Sequence, residues 1–470
     1  MIQTLIIIAV IYLGLLVLLS LSTRQKEKNT SSYLLAGSKV GSVLGMFTFA
    51  ATLFSTFTLI GMPDFFRTHG IGSWIFLAVS DTAMVFMIVW LGLYVRKKAR
   101  FNDFKGMSGL MTKCFQSKFA GYVTFFGAFI FLTPYVSIQI RGIAIFLNAT
   151  FPDALPIWAW ASLMILVMLL YSETGGLKAI IYSDMLQGIL LLTVICIIGF
   201  NCLKYFGNME NMFQQVRETS EALLSVPGPK GLFTGQFLFA SFLAIIMIPF
   251  TQPQVATRII IMKNNSSLFR MAIGVGFFAI IIILPTMLIG MYGAVRYGDL
   301  TTAQFISKVI IDDQSHSIAA FAIIGLIAAA ISTSDSQIFA LGGELRSLLE
   351  GDDKKMLNIT RIGIVFFALV ALVFSLISSD QLVLLARTSF AGTALMAPMI
   401  FTGIFLRNHT GKVMPYVTAG AMIIFIFSLL GVIPTEYFGI RLDLILFILV
   451  GATGIVNALL NKEKEPVYQV

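Results

Sequence analysis

The sequence predicts an all-α polytopic membrane protein with about 13 transmembrane helices, for two reasons. Of its 470 residues, 57% are hydrophobic and 12% are charged, which is about half the charged share of a soluble domain. Apolar stretches of about 20 residues, the length at which a helix crosses a bilayer, recur from Ile2 to Leu460. Because an open sheet cannot exist in hydrocarbon, the spans are expected to be helices that form one membrane bundle.

Short polar connectors separate the predicted spans. Spans 1 to 7 lie near residues 2–20, 42–66, 73–95, 119–147, 157–172, 179–204 and 234–256. Spans 8 to 13 lie near residues 268–294, 316–343, 360–379, 381–406, 413–433 and 442–461. Span 1 has no basic segment before it and no small-residue cleavage site after it, so it is expected to be retained rather than removed as a signal peptide.

Lys and Arg residues are unevenly divided between alternate connectors, and basic residues near span ends stay on the cytoplasmic side of a membrane. The richer set contains Arg24, Lys26, Lys28, Lys39, Arg96, Lys97, Lys98, Arg100, Lys105, Lys113, Lys118, Lys178, Arg258, Lys263, Arg270, Arg346, Lys354, Lys355, Arg361, Arg407, Lys412, Lys462 and Lys464. The opposite set contains Arg67, Lys204, Arg217, Lys230, Arg296, Lys308 and Arg441. In the plasma (cytoplasmic) membrane, the N-terminus is therefore expected outside and the C-terminus inside.

Composition and spacing argue against several other classes of protein. The net charge of +9 does not indicate nucleic-acid binding, because the basic residues occupy short connectors rather than one soluble face. The three cysteines show neither a disulfide framework nor zinc spacing, and His69, His316 and His409 have no ligand partners at suitable spacing. No nucleophile, metal cluster or pair of catalytic carboxylates at shared depth points to a membrane enzyme.

Five of the ionisable residues within the predicted spans matter most. They are Asp81 in span 3, Arg141 in span 4, Asp184 in span 6, Asp335 in span 9 and Arg387 in span 11. Such groups cost several kcal/mol at membrane depth unless they face a cavity or a partner, so each is a candidate functional residue.

Span 9 contains a dense polar run over residues 328–337, AAAISTSDSQ. Ser332, Asp335 and Ser336 stand at i, i+3 and i+4, so they share one helical face and can offer three oxygens to one point. Hard cations take oxygen ligands, which makes sodium a natural guest. The alternative is that these small residues only allow close helix packing and bond to helix carbonyls; the carboxylate of Asp335 favours the ion.

Spans 2 and 7 both carry residues that can interrupt a helix. Span 2 has a hydroxyl-rich run before residues 61–63, GMP, and span 7 has Pro249, Gln252 and Pro253. A pair of interrupted spans in matching halves points to a transport site near the midplane, where freed carbonyls bind an ion and hydroxyls meet a solute. The alternative is an ordinary proline kink and a threonine-rich packing face.

Several segments together resemble a known family. The most specific is residues 175–187, GGLKAIIYSDMLQ; the others are residues 32–38, 61–63, 252–253 followed by Arg258, and 332–337. Spread over nearly the whole chain, they resemble the sodium:solute symporter family, which includes sodium-coupled sugar, proline, pantothenate and sialic acid carriers.

The resemblance implies the leucine-transporter fold, in which five helices are repeated in inverted orientation. Residues 1–40 would form an accessory first span and a cytoplasmic loop, and residues 41–205 the first repeat, spans 2 to 6. An outer loop, 206–233, would precede the second repeat, 234–408, which contains spans 7 to 11. Residues 409–470 would supply two accessory spans and a short cytoplasmic tail.

The resemblance also implies where sodium binds. The family's shared sodium site would use the backbone carbonyls of Ala51, Phe54 and Ala329 with the hydroxyls of Ser332 and Thr333. These are five oxygens without formal charge.

A second sodium position, found in some relatives, would use Asp184 with Ser332, Asp335 and Ser336. The alternative is that Asp184 pairs with Lys178 or holds a helix end.

The solute is not specified by the resemblance. Proline carriers have an aspartate where this chain has Leu53, and sugar carriers have a Glu-Gln pair where it has Phe57 and Thr58. The residues expected to meet the solute are Ser55 and Thr58 in span 2, and Gln139, which matches a glutamine of many relatives.

Arg141 and Arg387 suggest a further property of the solute. A guanidinium can bind an organic carboxylate through paired charge-assisted hydrogen bonds, so Arg141 joins the expected solute residues and a carboxylate is one candidate solute. The alternative is that both arginines balance Asp81 and helix-end carbonyls, or extend outward.

These observations predict a sodium-coupled symporter that imports a small organic solute by alternating access. Its expected partners are the solute, sodium as coupling ion and the lipid bilayer, with no organic cofactor, no nucleic acid and no enzyme activity. The alternative is a transporter-like nutrient receptor or a solute-gated channel without stoichiometric sodium coupling.

Overall fold

A computed structural model describes residues 2–23, 30–406 and 412–460, and these ranges are almost entirely helical. A two-stranded antiparallel sheet, Glu436–Tyr437 with Ile440–Arg441, precedes the last helix. The sequence-based expectations for Arg24, Lys26, Lys28, Arg407, His409 and the tail from residue 461 fall outside the described residues.

Nine helices in the described part of the chain are long and apolar enough to cross a membrane. They are Ile2–Thr23 (span 1), Gly72–Phe101 (span 3), Lys118–Thr150 (span 4), Gly176–Phe206 (span 6), Asn265–Arg296 (span 8), His316–Leu348 (span 9), Asp353–Ile377 (span 10), Leu382–Phe405 (span 11) and Leu442–Leu460 (span 13). Two bent pairs supply spans 2 and 7, namely Ser42–Leu53 with Phe57–His69 and Gly235–Thr251 with Pro253–Ile260. The total by length and composition is therefore nine to eleven, and the shorter apolar helices Ile157–Leu170 and Met414–Leu429 lie where spans 5 and 12 were predicted.

Shorter elements connect the spans. Helix Thr30–Leu35 and the 3-10 turn Ala36–Ser38 precede span 2, and Met107–Phe115 joins spans 3 and 4. Met209–Thr219 and the 3-10 turn Glu221–Leu224 join spans 6 and 7. Thr302–Ser307 and the π-helical turn Lys308–Asp312 join spans 8 and 9. Helix Met209–Thr219 lies within residues 206–233, the segment expected to be an outer loop.

The spans differ in how much of their surface the bundle covers. Spans 4, 9 and 11 are the most buried, while spans 1 and 13 are the least buried among the described helices. Large apolar side chains such as Leu18, Phe86 and Ile455 remain exposed on the outside. An apolar outer face is what lipid tails require, so the polar groups of interest belong to the interior of the bundle.

Both bent spans break in their middle, and local sequence explains part of the geometry. In span 7, Gln252 is extended (φ −105°, ψ 116°) because a residue before proline avoids the α conformation, and Pro253 then begins the next helix, where its missing N–H is harmless. In span 2, the first helix ends at Leu53 and Phe54 is extended (φ −94°, ψ 124°). The two halves of span 2 meet at 60° and those of span 7 at 56°.

Candidate functional site

Oxygen atoms of spans 2 and 9 meet at the break of span 2. The Ser332 hydroxyl lies 3.2 Å and the Thr333 hydroxyl 2.9 Å from the carbonyl oxygen of Ala51, to which both donate. All three residues are buried. The structure thus brings together three of the five residues assigned from sequence to the first sodium site, and uncharged oxygens of this kind suit a hard monovalent cation.

The other two residues of that set lie on the same segments. Phe54 is the first extended residue after the helix of span 2, and its ring stacks on Phe278 of span 8 at 5.7 Å between centroids. Ala329 is buried in span 9, one turn before Ser332. A carbonyl at a helix break has no helical partner, which is why Phe54 can offer its oxygen to an ion.

A buried carboxylate, Asp184 of span 6, lies beside this oxygen cluster. Its Oδ2 accepts a hydrogen bond from the Thr48 hydroxyl at 2.5 Å, and its Oδ1 accepts one from Ser332 at 2.7 Å. Its ionic partner is Arg258, whose Nη2 lies 3.4 Å from Oδ2. The alternative pairing of Asp184 with Lys178 is therefore wrong.

Arg258 was assigned from sequence to a cytoplasmic connector, but the structure places it inside the bundle. Helix Pro253–Ile260 buries its side chain to 1% exposure. The guanidinium donates to Ser336 at 2.7 Å and to Thr48 at 3.3 Å. It therefore binds two of the groups, Asp184 and Ser336, that were expected to hold a second sodium ion. The sequence showed Arg258 shortly after Pro253, but it did not show that the Arg258 side chain pairs with Asp184.

Span 1 contributes a buried tyrosine, Tyr12, that sequence reasoning did not single out. The carboxylates of Asp335 and Asp184 lie within electrostatic range of its hydroxyl, which accepts a hydrogen bond from Gln187 at 2.9 Å. Asp335 is itself buried. Span 1 thus contacts the polar interior through Tyr12. The only signal for this contact in the sequence is a phenol within an apolar run.

Ser55 and Thr58, two of the expected solute residues, stabilise the break of span 2. Thr58 accepts a hydrogen bond from the Ser55 amide at 3.1 Å, and the Ser55 hydroxyl accepts one from the Phe57 amide at 3.2 Å. Gln139 of span 4 is buried and donates to the Tyr135 carbonyl at 3.1 Å. Its Oε1 has no hydrogen-bond partner among the described residues, so this oxygen is free to accept a hydrogen bond from a ligand.

Tyr135 connects the spans around this point and was also missed from sequence. Its hydroxyl donates to the Leu53 carbonyl at 2.9 Å, and its ring meets Phe390 of span 11 edge-on at 5.0 Å between centroids. The same hydroxyl interacts with Ser55 and lies within electrostatic range of Asp81 of span 3. Spans 2, 4 and 11 therefore meet at this phenol.

The two membrane arginines have acidic partners of their own. Arg141 lies 2.8 Å from Asp380, and Arg387 forms an ion pair with Asp443 of span 13 and donates to Ser241 at 3.2 Å. The alternative that they balance Asp81 is therefore wrong, whereas Arg141 does lie 3.5 Å from the carbonyl oxygens of Ser375 and Leu376 at the end of span 10. Binding of a solute carboxylate by Arg141 stays a prediction, with Asp380 as a competing anion.

The fold and the interior site define a secondary transporter of the leucine-transporter class, with two broken spans around a polar centre. Residues 33–427 match the model of the Sodium:solute symporter family, and the chain belongs to this family. The family consists of transporters, and the named relatives are sodium-coupled solute symporters.

Individual relatives are distant in sequence and close in fold. The chain is 23% identical to the sodium/proline symporter 2 of Staphylococcus saprophyticus, over 90% of this chain and 86% of the relative. It is 25% identical to the sodium/pantothenate symporter of Haemophilus influenzae, over 66% and 63%. A solved sodium-coupled sialic acid symporter in a substrate-bound outward-open state superposes with a TM-score of 0.79 at 16% identity, covering 99% of each chain.

Proposed function

We propose that the protein imports a small organic solute together with sodium across the cytoplasmic membrane by alternating access. The observation that supports this most is the meeting of the Ala51 carbonyl with the hydroxyls of Ser332 and Thr333. Ala51 belongs to the proposed first repeat, residues 41–205, and the two hydroxyls to the proposed second repeat, residues 234–408. A sodium ion bound there joins the two repeats.

The solute site is proposed next to the ion, at the break of span 2. Its proposed residues are Ser55, Thr58 and Gln139, together with Tyr135, whose hydroxyl donates to the Leu53 carbonyl at this break. Sodium fixes the break and so completes the solute site, and binding of each ligand then strengthens binding of the other by the same factor. An inward sodium gradient and a negative interior drive the loaded carrier inward, since one charge moved across 100 mV is worth about 2.3 kcal/mol.

A second sodium position at Asp184, Asp335 and Ser336 is part of the proposal. Ser332 supports it, because its hydroxyl contacts both the Ala51 carbonyl and Asp184. The guanidinium of Arg258 shares Asp184 and Ser336, so an ion binds there only as Arg258 withdraws. Arrival of the second ion and movement of helix Pro253–Ile260 are thereby linked.

Uptake into proteoliposomes tests the proposal. With water-soluble bacterial metabolites outside and an inward sodium gradient, mass spectrometry should find a solute accumulated above its outside concentration. Thr333→Ala removes one sodium ligand and should raise the sodium concentration for half-maximal uptake about fivefold to tenfold, since one hydrogen-bonding contact is worth about 1 kcal/mol.

Thr124→Ala is the matched control, because Thr124 is also a buried threonine, bonded to its own helix in span 4. Concentrative uptake that persists without sodium, or an unchanged sodium requirement in Thr333→Ala, contradicts the proposed site. Equilibration without accumulation indicates a channel, and binding without transport indicates a receptor.

A further inference from the structure

A cavity of about 250 Å³ lies where three spans begin or end. Spans 3 and 9 end at Phe101 and Leu348, and span 4 begins at Lys118. The cavity is lined by the connector between spans 3 and 4, by the first turn of span 4 and by residues 347–350 at the end of span 9. Because span ends lie where hydrocarbon meets water, the cavity belongs to the membrane boundary on the side expected to face the cytoplasm.

Three lysines and two acidic residues line this cavity, namely Lys105, Lys113, Lys118, Asp103 and Glu350. Lys105 lies 3.6 Å from Asp103, and Lys118 lies 3.8 Å from Glu350. Both carboxylates are exposed, to 80% and 86%, so these two ion pairs contribute little. Lys113 donates to a main-chain carbonyl instead, and no carboxylate of the described ranges pairs with it. The cavity therefore carries one positive charge in excess of its carboxylates.

Aromatic side chains indicate the level of this cavity in the membrane. Tyr122, one turn into span 4, lines the cavity and is 46% exposed. Phe119, three residues earlier on the same helix, stacks on Tyr416 of span 12 at 4.7 Å between centroids, and both of these rings are exposed. Exposed aromatic residues gather at the level of the lipid headgroups. The cavity therefore lies beside the lipid phosphates rather than in bulk water.

The floor of the cavity is preformed by contacts between the connector and span 9. The Gly109 amide donates to the Ser347 hydroxyl at 2.9 Å. One turn before Ser347, the Glu344 carboxylate accepts hydrogen bonds from the amides of Met107 and Ser108 at 2.9 and 2.6 Å. A site held in place in this way loses little conformational freedom when a ligand binds.

We propose that this cavity binds the phosphate group of an anionic phospholipid of the cytoplasmic leaflet. Basic pockets between spans on this side of a membrane bind such headgroups. A phosphodiester with one negative charge matches the excess positive charge, and Lys113 and Lys118 donate charge-assisted hydrogen bonds to its oxygens. The acyl chains lie along the exposed face of span 4 next to Tyr122. Soluble phosphate shares the headgroup chemistry but has no chains to place there.

A lipid bound in this cavity joins the connector between spans 3 and 4 to the end of span 9. Span 9 also carries Ser332 and Thr333, far from the cavity along the helix. The lipid site itself serves neither sodium nor the solute. Its test therefore needs no transport assay, and it can fail or succeed independently of symport.

Thermal unfolding of the full-length protein in mixed micelles of detergent and lipid tests this site. Phosphatidylglycerol and phosphatidylcholine with the same acyl chains are added at increasing mole fraction. We expect phosphatidylglycerol to raise the unfolding midpoint more, because the choline of phosphatidylcholine cancels the phosphate charge. Lys113→Gln/Lys118→Gln should raise the phosphatidylglycerol fraction for half-maximal stabilisation about tenfold to thirtyfold, since each lysine near anionic lipid contributes about a factor of five.

Lys354→Gln/Lys355→Gln is the matched control, because it removes the same charge from exposed lysines outside the cavity. It should leave the half-saturating fraction unchanged, and a shift equal to that of Lys113→Gln/Lys118→Gln would overturn the proposal. Glu350→Gln removes a carboxylate that competes for a cavity lysine, so this variant should bind phosphatidylglycerol at a lower fraction than the wild type.

A gain of lipid binding cannot come from a damaged fold, so Glu350→Gln decides the outcome if Lys113→Gln/Lys118→Gln does not fold. Unchanged lipid binding in Glu350→Gln overturns the proposal in that case. Equal stabilisation of the wild type by the two lipids also overturns it. Inorganic phosphate added to phosphatidylcholine micelles should have little effect; stabilisation by inorganic phosphate but not by phosphatidylglycerol assigns the cavity to a soluble anion and overturns the lipid.

Discussion

At the scale of single residues, ion pairs inside this bundle differ in how far they are removed from solvent. The pair Arg387–Asp443 is almost fully buried, with side-chain exposures of 8% and 7%, whereas Asp380, the partner of Arg141, is 57% exposed. Removing one member of a buried pair leaves an uncompensated charge and costs about 3–5 kcal/mol. Removing a member of an exposed pair costs at most about 1 kcal/mol.

Asp443→Asn should therefore destabilise the protein far more than Asp380→Asn. The measurement is the thermal unfolding midpoint of each purified variant in the same detergent. The double variant Arg387→Gln/Asp443→Asn should recover stability relative to Asp443→Asn, because it removes the stranded charge. Equal midpoints for the two single variants would show that Arg387 finds compensation elsewhere.

Arg258 offers a second prediction at this scale, because its guanidinium neutralises Asp184. Arg258→Gln leaves Asp184 buried without a cation, so the variant should be less stable in potassium and should gain more stability from sodium than the wild type does. At a sodium concentration 100 times the Kd, one extra bound ion contributes about 2.7 kcal/mol. Thermal unfolding across a sodium titration measures the difference.

The added substitution Asp184→Asn is the control for that prediction. It removes the carboxylate that would attract the ion, so Arg258→Gln/Asp184→Asn should lose the additional sodium effect. Equal stabilisation of Arg258→Gln by sodium and by potassium would argue against a selective second site.

What the sequence revealed at residue scale depends on whether a partner lies nearby along the chain. Ser332 and Thr333 stand out because hydroxyls beside Asp335 are unusual within an apolar helix. Arg258 and Asp184 are 74 positions apart, and no local pattern connects them. Tyr135 and Tyr12 were overlooked because an aromatic residue in a span usually packs against its neighbours, and their roles come from the fold.

At the scale of helices, the spans were predictable and the position of their breaks only partly so. Pro253 fixes the break of span 7 through local sterics. In span 2, the sequence indicated a hydroxyl-rich run, and the first helix ends at Leu53, where Tyr135 of another span binds the freed carbonyl. A break stabilised by a distant side chain cannot be located from the residues of that span alone.

Close helix packing gives a prediction for the second half of span 2, residues Phe57–His69. A methyl group at Gly290 of span 8 would lie 2.4 Å from the Phe66 Cβ and 2.6 Å from the Pro63 carbonyl oxygen. Because the main chain of span 2 cannot yield cheaply, Gly290→Ala should lower stability by about 1–3 kcal/mol. Gly420→Ala in span 12 is the matched control, since no atom lies within 4 Å of its added methyl.

The thermal unfolding midpoints of these two alanine variants should therefore differ, with Gly290→Ala below the wild type and Gly420→Ala close to it. Repeating the unfolding measurement in sodium adds information, because the second half of span 2 comes directly after the proposed ion site along the chain. If Gly290→Ala unfolds at the wild-type midpoint, spans 2 and 8 can separate at no cost, and the tight packing is not part of the stable state.

At the scale of the whole molecule, hydropathy located the apolar segments but gave about 13 spans where length and composition in the structure give nine to eleven, and the pairing of two halves came only from resemblance. Hydropathy identifies each segment through its own apolar length. An inverted repeat leaves no mark on composition, because helices that run in opposite directions have the same apolar character. The convergence of spans 2, 6 and 9 on Asp184 and Ser332 needed coordinates.

The orientation in the membrane is the remaining whole-molecule prediction. It depends on the count of basic residues in alternate connectors, and the structure shows where some of those residues lie. Several basic residues counted toward the cytoplasmic side are buried rather than in solvent: Arg96 donates to the Met262 carbonyl, and Arg258 lies against Asp184. The positive-inside rule acts while the spans are inserted, before such contacts exist, so these residues still count. The richer connectors keep their excess, and the N-terminus is expected outside with the C-terminus inside.

Fusions at the C-terminus and in the connector between spans 6 and 7 test this orientation. A green fluorescent protein fused after Val470 should fluoresce, because it folds in the cytoplasm, while alkaline phosphatase at the same position should be inactive. The reverse pattern is expected when the phosphatase is fused in the connector between spans 6 and 7, after Gly228, which this orientation places outside. An active phosphatase after Val470 would place the C-terminus outside and contradict the orientation expected from the basic residues.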